Sequence, residues 1–343
     1  MEKKSKLVFL GNLDSILFKQ RISQIIKSAN IVNYTVLDTS KKTFLKKIIF
    51  IYKSLFLFVM ALFFFKKINI IFHGAYNSVL WMIIFFPRVR IISILQGSEI
   101  EKDYYGFRSI LIRLILKHSN LILCRSNAQK LKVIELASVK TEVCEIVNWG
   151  LSNNLLSITK NNNNNNKYIK IISPRATQPE YNIEIIFKVI KKLKKEGYHI
   201  KFCYVEYNKT IDLLDQEVVD KKMNNSSQTD LWQEIANSDV CISIPEYDGF
   251  SNTIIESIAL GTYNICSDLT AYQFFKKNSS IGVLSKLGVS NNEKLDNLYK
   301  KIKVSIIKIE KIRNDSSKRS AFAIKNFYKV EGLDKLIHLI RSI

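Results

Sequence analysis

Short apolar segments alternate with longer amphipathic segments along most of this chain, and this alternation constrains its fold more than any other feature. The apolar segments have the length of buried strands, and the segments between them carry apolar residues at helical spacing. Strands that alternate with helices predict βαβ units and a parallel sheet. In the first half, the predicted strands are Lys6–Leu10, Val32–Leu37, Asn69–His73, Val89–Leu95, Asn120–Cys124 and Cys144–Asn148.

The alternation stops at residues 152–168, a polar segment that contains the run Asn161–Asn166, and then begins again. We interpret the polar segment as an exposed linker. The second half repeats the pattern, with predicted helices at Asn182–Glu196 and Ser251–Leu260. Its predicted strands are Ile169–Ser173, His199–Val205, Val240–Ile244 and Tyr263–Ser267.

The length of the chain, 343 residues, suits two domains of this kind. We therefore predict an α/β protein with two Rossmann-like domains that face each other across a cleft. The N-terminal domain is predicted at 1–151, the linker at 152–168, the C-terminal domain at 169–330 and a closing helix at 331–343.

Basic residues outnumber acidic ones by 52 to 30, which gives a formal net charge of +22. An excess of this size predicts an anionic partner: nucleic acid, an anionic membrane or phosphorylated small molecules. A genome biased toward lysine is the alternative explanation. The five cysteines are scattered without a C-x-x-C pair, which indicates reduced cytoplasmic thiols. The apolar stretch at the start of the chain is too short for a signal peptide.

An apolar segment at 48–65 contains a single charge, Lys53, and has lysines on both sides. Its length is near the ~20 residues of a membrane span. Three interpretations are open, in this order of preference: a helix in the lipid headgroup region, a helix buried against the first sheet, and a true span. A span would place the strands Lys6–Leu10 and Asn69–His73 on opposite sides of a membrane and so divide one sheet.

The most informative stretch is 240–268, in which a strand is followed by a loop and then by a helix. Ser251 and Asn252 are residue types that begin helices, so the helix N-terminus would lie at the carboxyl end of a parallel strand. The backbone N–H groups of Ser251, Asn252 and Thr253 would hold a diphosphate there, helped by the helix dipole. Gly249 would let the backbone approach the ligand closely.

Two carboxylates bracket this turn, Asp248 in the loop and Glu256 in the helix. At this separation they would contact different parts of a ligand rather than share a proton. Glu256 would accept hydrogen bonds from ribose hydroxyls, and Asp248 would hold the hydroxyls of a sugar. The alternative is that both acids only complement the helix dipole.

The same stretch resembles the E-x7-E signature of the retaining glycosyltransferases of group 1 (family four), which usually reads E-G-F-G-x-x-x-x-E-A-x-A-x-G-x-P-V-I. The residues Asp248, Gly249, Phe250 and Ser251 fall on its first block, and Glu256 begins its second. The chain has Asp248 where the family has Glu and Ser251 where it has Gly. The resemblance implies the GT-B fold and places both blocks, Phe250 included, in the donor site.

Three further matches to this family lie outside the signature. Arg175 follows a strand, as does the family's arginine, which implies that it binds the donor diphosphate; a surface arginine is the alternative. The family commonly has a lysine shortly afterwards, and Gln178–Asn182 contains none. Gln96 and Glu99 lie in a segment that resembles the W-G-S-D-I loop, which implies an acceptor-side position. Gly11 ends the first strand, where the family's loop approaches the donor.

The resemblance implies that a sugar moves from a nucleotide-diphosphate sugar to an acceptor with retention, and that Arg175, Asp248 and Glu256 form the catalytic centre. No D-x-D sequence occurs, so we expect no metal, and no cofactor beyond the nucleotide sugar as co-substrate. Together with the segment 48–65, the resemblance predicts a lipid-linked or oligosaccharide acceptor in the biosynthesis of O-antigen, capsule or lipopolysaccharide. We expect a peripheral position on the inner, cytoplasmic face of the cell membrane.

Two other functions are compatible with the same residues. The first is a GT-B relic that binds a nucleotide or lipid without transfer, which the Asp248 substitution and the missing lysine favour. The second is a nucleic-acid binder, which the net charge of +22 favours. Because no basic and aromatic motif of the RNA-recognition type occurs, we expect no nucleic-acid partner.

Overall fold

The computed structural model describes residues 6–13, 15–31, 33–38, 52, 68–73, 89–97, 100, 107–160, 167–175, 178–206, 218–224 and 226–341. The predicted linker run Asn161–Asn166, Glu99, and the segment 48–65 apart from Tyr52 lie outside the described residues. The chain forms two compact units. Unit 1 comprises Met1–Trp149 and Val330–Ile343, and unit 2 comprises Gly150–Lys329.

Strands and helices alternate along both units. The strands are β1 (Lys6–Gly11), β2 (Thr35–Asp38), β3 (Ile68–His73), β4 (Val89–Ile94), β5 (Leu121–Cys124), β6 (Cys144–Ile146), β7 (Asn148–Trp149), β8 (Ile169–Ser173), β9 (Ile200–Glu206), β10 (Lys221–Asn224), β11 (Val240–Ser243), β12 (Tyr263–Ser267), β13 (Gly282–Ser285) and β14 (Val330–Glu331). The helices are α1 (Ile16–Ala29), α2 (Phe107–His118), α3 (Asn127–Ala137), α4 (Asn153–Leu156), α5 (Ile183–Lys195), α6 (Gln228–Ala236), α7 (Asn252–Ala259), α8 (Asn291–Ile307), α9 (Ile309–Asn314), α10 (Ser316–Phe327) and α11 (Asp334–Arg341).

Unit 1 is built on a six-stranded sheet of order β2-β1-β3-β4-β5-β6, in which every pairing is parallel. Helix α1 packs Phe18 and Ile25 into the core beside this sheet. The closing helix α11 adds Leu336 and Ile340 to the same core, and β14 pairs with β7. These contacts explain why the C-terminal residues belong to unit 1, although they follow unit 2 in sequence.

Unit 2 has a six-stranded sheet of order β10-β9-β8-β11-β12-β13, which is also parallel throughout. Side chains of a strand point alternately to its two faces, and β8 shows the consequence. Ile171 joins a core with helices α5 and α8, whereas Ile172 joins a second core with α6, α7 and α10. Both faces of the sheet are therefore covered by helices, as its nearly continuous apolar strands predict.

The predicted strands correspond to observed strands with shifted ends; for example, the prediction Val32–Leu37 compares with β2. In the sheet of unit 2 and the helices around it, β10, β13, α6 and α8–α10 were not predicted from the sequence. The two missed strands lie at the edges of their sheet, and β10 buries only Met223 among its residues. An edge strand needs few apolar residues, which removes the pattern by which it would be detected.

The predicted linker 152–168 contains regular structure in its described part. Helix α4 lies there, and its Leu155 is fully buried in the core of unit 2. The chain passes between the units at Trp149 and Gly150, and again at Lys329 and Val330. Among the described residues, no helix is both long and apolar enough to cross a membrane.

Candidate functional site

The carboxyl ends of β8 and β11 lie side by side at one edge of the sheet of unit 2, because the two strands are parallel neighbours. Arg175 follows β8, and the loop that contains Asp248 follows β11. This edge is where open α/β sheets bind ligands. The fold therefore brings together two of the residues that the sequence analysis selected.

Arg175 is held by contacts along most of its guanidinium group. Its Nη2 donates to Asp248 Oδ2 in an ion pair, and its Nε donates to Ser243 Oγ at 2.8 Å. The guanidinium carbon lies 5.2 Å from the centre of the Tyr181 ring. The side chain is 14% exposed, so the alternative of a loose surface arginine does not apply. Its Nη1 donates to none of the described residues and remains available for a ligand.

Tyr272 completes this cluster, and the sequence analysis did not select it. It lies in a 3-10 helix at Thr270–Lys277, which follows β12 at the same edge of the sheet. Its hydroxyl donates to Asp248 Oδ2 at 2.7 Å and lies 3.5 Å from Arg175 Nη2. The side chain is fully buried. The only sign of Tyr272 in the sequence is an aromatic residue shortly after a predicted strand, and most such residues simply belong to the core.

The charges of the cluster are set by burial and by the ion pair. Burial is the largest single effect and opposes the charged form of Arg175, but the Asp248 carboxylate together with Tyr272 and Tyr181 outweighs it and raises the pKa of Arg175. Burial, and then the Asp248 carboxylate, raise the pKa of Tyr272 well above its usual value. Arg175 is therefore charged and Tyr272 is protonated at neutral pH.

Helix α7 begins at this edge, with Ser251 as its N-cap residue. The Ser251 hydroxyl accepts from the amide of Ile254 at 3.4 Å, and the first backbone bond of the helix runs from Ile255 N to Ser251 O. The amides of residues 251–253 precede these bonds, as expected at a helix N-terminus. Gly249 is buried and does not have a positive φ, so the backbone angle alone does not require glycine there.

Glu256 lies in helix α7, and two side chains of helix α6 contact its Oε2. The indole Nε1 of Trp232 donates to this oxygen at 3.0 Å, and Gln228 Nε2 lies 3.5 Å from it. Trp232 is only 4% exposed, so the donated hydrogen bond comes from a rigid, buried ring. Trp232 could not be selected from the sequence, because nothing in the helix pattern distinguishes it from an ordinary core residue.

Phe250 packs in an aromatic cluster. Its ring lies 5.7 Å from that of Phe274 and 5.9 Å from that of Phe327. A third ring, Phe322, packs 6.1 Å from Phe327. This cluster anchors the loop between Asp248 and Ser251 on helix α10.

The segment Gln178–Asn182 lacks the expected lysine, and the structure places another lysine beside it. Lys294 of helix α8 donates to Glu246 Oε1 at 2.8 Å and lies 3.4 Å from Asn182 Oδ1. Its side chain is 13% exposed. A cation is thus present near this segment, although it comes from a distant part of the chain.

The residues predicted in the first half belong to unit 1. Gln96 follows β4, and its Nε2 lies 2.7 Å from His73 Nδ1. Arg21 Nη1 lies 2.8 Å from the other ring nitrogen, Nε2. Burial, followed by the charges of Arg21 and Arg125, lowers the pKa of His73 to about 2. His73 is therefore a neutral, buried histidine. Glu99 lies outside the described residues.

Gly11 ends β1 as predicted, and its lack of a side chain has a local explanation. A Cβ atom at this position would overlap the ring of Phe18 in helix α1. Close packing of the helix against the strand therefore requires glycine, whether or not a ligand approaches. Among the residues that the structure describes, no three acidic, histidine or cysteine side chains are placed to hold a metal ion.

No family model matches the chain, and no curated protein matches its sequence. Solved structures do match. HepE from Anabaena, solved in complex with UDP-glucose, gives a TM-score of 0.72 at 14% identity over 98% of this chain and 99% of that chain. Sucrose-phosphate synthase from Thermosynechococcus elongatus gives 0.72 at 12% identity over 98% of both chains. The pneumococcal O-GlcNAc transferase GtfA, in complex with UDP and GlcNAc, gives 0.62 at 13% identity over 83% and 58%.

These likenesses and the two parallel six-stranded sheets define the fold of the chain as the GT-B fold. The predicted fold class, an α/β protein of GT-B type, is confirmed.

Proposed function

We propose that this protein is a glycosyltransferase that moves a sugar from a nucleotide-diphosphate sugar to a glycan acceptor with retention. The observation that carries the proposal is the cluster of Arg175, Asp248 and the N-terminus of helix α7 at one edge of the sheet of unit 2. The fold gives independent support, because HepE, which has a similar structure, was solved in complex with UDP and with UDP-glucose.

The donor diphosphate would bind between Arg175 and the start of helix α7. Arg175 would donate from Nη1, while its other nitrogens stay bound to Ser243 and Asp248. The amides of Ser251, Asn252 and Thr253 would donate from the helix N-terminus, where the dipole favours negative charge. The bonds to Ser243 and Asp248 fix Arg175, and the helix fixes the amides, so little reorganisation is needed when the ligand arrives.

Glu256 would bind the ribose hydroxyls of the nucleotide. The buried Trp232 holds its Oε2 in one position, which lowers the entropy cost of binding. Asp248 would contact hydroxyls of the transferred sugar, and Arg175 and Tyr272 fix its orientation. The family signature has the longer Glu at position 248, so we propose that the shorter side chain draws the sugar closer to this edge.

Retaining transfer needs stabilisation of the departing diphosphate more than it needs a strong base. Negative charge develops on the diphosphate as the bond to the sugar breaks, and Arg175 with the amides of α7 would stabilise it. Because the pKa of Arg175 is raised, this group is charged at neutral pH. We propose that no metal ion is required for this role.

The acceptor and location are proposed from the charge and from the apolar segment at 48–65. A net charge of +22 and lysines flanking that segment favour an anionic membrane surface. We propose a lipid-linked or oligosaccharide acceptor of a surface polysaccharide, bound on the inner face of the cell membrane. Gln96, and Glu99 beyond the described residues, would contribute from the acceptor side.

Thermal unfolding with a panel of nucleotide sugars tests the donor site. A ligand that binds only the folded protein raises the unfolding midpoint once its concentration exceeds the dissociation constant. We expect one donor to raise the midpoint of the wild type and of Glu184→Ala, a control that removes an exposed helix acid. Glu256→Ala should lose the shift.

Turnover then separates an enzyme from a relic that only binds. With the donor so identified, released nucleotide diphosphate is measured in the presence of a membrane extract that supplies the acceptor. Release by the wild type, reduced in Asp248→Asn that still binds the donor, supports transfer. A donor-dependent midpoint shift without release would assign the protein as a binding protein, and no shift with any donor would contradict the proposal.

A further inference from the structure

A second site of unit 2 lies at the opposite end of its sheet from Arg175. A cavity of about 470 Å³ opens beside Tyr263 and Gly282, the first residues of β12 and β13. The cavity therefore lies at the amino ends of parallel strands, whereas Arg175 follows the carboxyl end of β8. Its volume falls within the range of about 300–1,000 Å³ of small-molecule sites.

The charged residues that line this cavity are almost all basic. Asp315 is the single acid among them, and it already pairs with Lys318 at 2.6 Å. Within the described part of the chain, no carboxylate lies within 4.0 Å of the side-chain nitrogens of Lys301, Lys308 or Lys311. The basic lining consists of Lys301, Lys308, Lys311, Lys318 and Arg319.

Arg319 is the buried member of this group, with 2% exposure. It donates from Nε to Gly261 O at 2.8 Å, from Nη1 to Ser280 O at 3.3 Å, and from Nη2 to Ile312 O. These partners are backbone carbonyls, which carry no full charge. A guanidinium group has five N–H donors, so two remain beyond these three bonds.

The charge of Arg319 is therefore only partly compensated where it lies. Burial lowers the pKa of Arg319 to about 10, although the nearby Asp315 acts in the opposite direction. Burying a cation without an ionic partner is costly, and an anion in the cavity would offset that cost. Arginine and lysine together are the usual protein ligands of phosphate groups.

We propose that this cavity is a second anion site, which binds the phosphate group of a small organic phosphate. Arg319 forms its floor, and Lys301, Lys308 and Lys311 surround its mouth. Val304 and Ile312 supply apolar walls for the organic part of the ligand. The cavity is separate from the donor site, so this proposal does not depend on whether the chain transfers sugars.

The phosphate group has two possible sources, a soluble metabolite or a phospholipid headgroup, and separate probes distinguish them. Glycerol 3-phosphate represents the soluble source. Vesicles of phosphatidylcholine with and without phosphatidic acid represent the lipid source. Ile307 is 74% exposed and precedes Lys308, so an apolar side chain stands next to the mouth where it would enter a lipid surface.

The test uses a triple variant, Lys301→Gln, Lys308→Gln and Lys311→Gln. Glutamine has a helix propensity close to that of lysine and removes its charge. The matched control, Lys188→Gln, Lys300→Gln and Lys325→Gln, removes three lysines from helices of the same unit that do not line the cavity. Every protein also carries Arg175→Ala, which weakens phosphate binding at the donor site.

Two measurements are made at constant ionic strength: the unfolding midpoint with glycerol 3-phosphate, and co-flotation with the vesicles. We expect the control to respond in one of the two, and the cavity variant to bind that probe at least tenfold more weakly. The measurement in which the control binds its probe identifies the source of the phosphate, soluble or lipid. Equal binding by the cavity variant and the control, or no binding of either probe by the control, would overturn the proposal.

Discussion

Arg175 and Asp248 are 73 residues apart in sequence and form an ion pair at the carboxyl edge of the second sheet. Both side chains are largely buried, at 14% and 12% exposure. Such a pair does not behave as a surface salt bridge, because removing one partner leaves the other in a poorly solvated place. The arginine proposed to bind the donor diphosphate is thus oriented by the carboxylate proposed to bind the sugar.

Asp248→Asn should lower the free energy of unfolding of unit 2 by about 2 kcal/mol, because it weakens a charge-assisted hydrogen bond in a mostly buried place. Urea unfolding measures this change. The control is Asp296→Asn, an exposed acid in helix α8, which should change stability by less than about 0.5 kcal/mol. Equal small effects at the two positions would show that the ion pair contributes nothing.

Tyr272→Phe should cost about 1 kcal/mol of unfolding free energy, since it removes one hydrogen bond and keeps the ring in the core. In the Asp248→Asn background the cost should be smaller, because the acceptor has lost its charge. A double-mutant cycle from urea titrations measures this coupling. Additive effects would mean that the hydroxyl and the carboxylate do not interact in solution.

Trp232→Phe should weaken donor binding about tenfold, which corresponds to about 1.4 kcal/mol. The reason is that Glu256 loses the indole N–H that holds its Oε2. Calorimetric titration with the nucleotide diphosphate measures the affinity. In the Glu256→Gln background the same change should have little further effect, and a full tenfold loss there would instead indicate damage to the core.

The buried His73 should make the stability of unit 1 fall in mild acid. Its pKa is about 2 in the folded chain and 6.5 in the unfolded chain, so below pH 6.5 only the unfolded chain binds the proton. Stability therefore rises with pH between these values, by about 1.4 kcal/mol per pH unit from this group, and is lost as the pH falls below about 6.5.

Unfolding free energies of the wild type and of His73→Gln, measured between pH 7 and 5, check this pH dependence. The unfolding free energy of the wild type should fall relative to that of His73→Gln as the pH falls, whatever the cost of the substitution at pH 7. His118→Gln is the control, because His118 is exposed on α2. A parallel pH dependence in the wild type and His73→Gln would contradict the burial of a neutral histidine.

Gly11→Ala should destabilise unit 1 by about 1–3 kcal/mol, because the added methyl group overlaps Phe18. The double variant Gly11→Ala with Phe18→Leu should recover part of that loss. Thermal unfolding measures stability, and calorimetry measures donor affinity. A drop in affinity with unchanged stability would show that Gly11 serves the ligand rather than the packing.

Most strands can be located from the sequence, because their apolar residues form continuous runs that only burial on both faces explains. Helix α7 can also be located, since Ser251 and the apolar spacing after it are local signals, and Ser251 is the observed N-cap residue. The edge strands β10 and β13 were missed for the opposite reason. They bury few side chains, so their patterns resemble those of loops.

In the candidate site, the residues found from sequence are those that a motif or a strand end marks: Arg175, Asp248 and Glu256. Tyr272 and Trp232 carry no such mark. Each is 24 residues from the carboxylate to which it donates, and each has the appearance of an ordinary core aromatic. A hydrogen bond over that separation depends on side-chain direction, which local sequence does not encode.

The sequence by itself therefore determined the alternation of strands and helices, and it placed Arg175 and Asp248 at the carboxyl ends of strands. It could do so because apolar periodicity and helix caps are signals that extend over only a few residues. Only the tertiary structure decided which partners orient them, how the C-terminal helix α11 returns to unit 1, and where the cations around Arg319 enclose a cavity. These features join residues that are far apart in sequence, and packing of whole elements alone sets the distances between them.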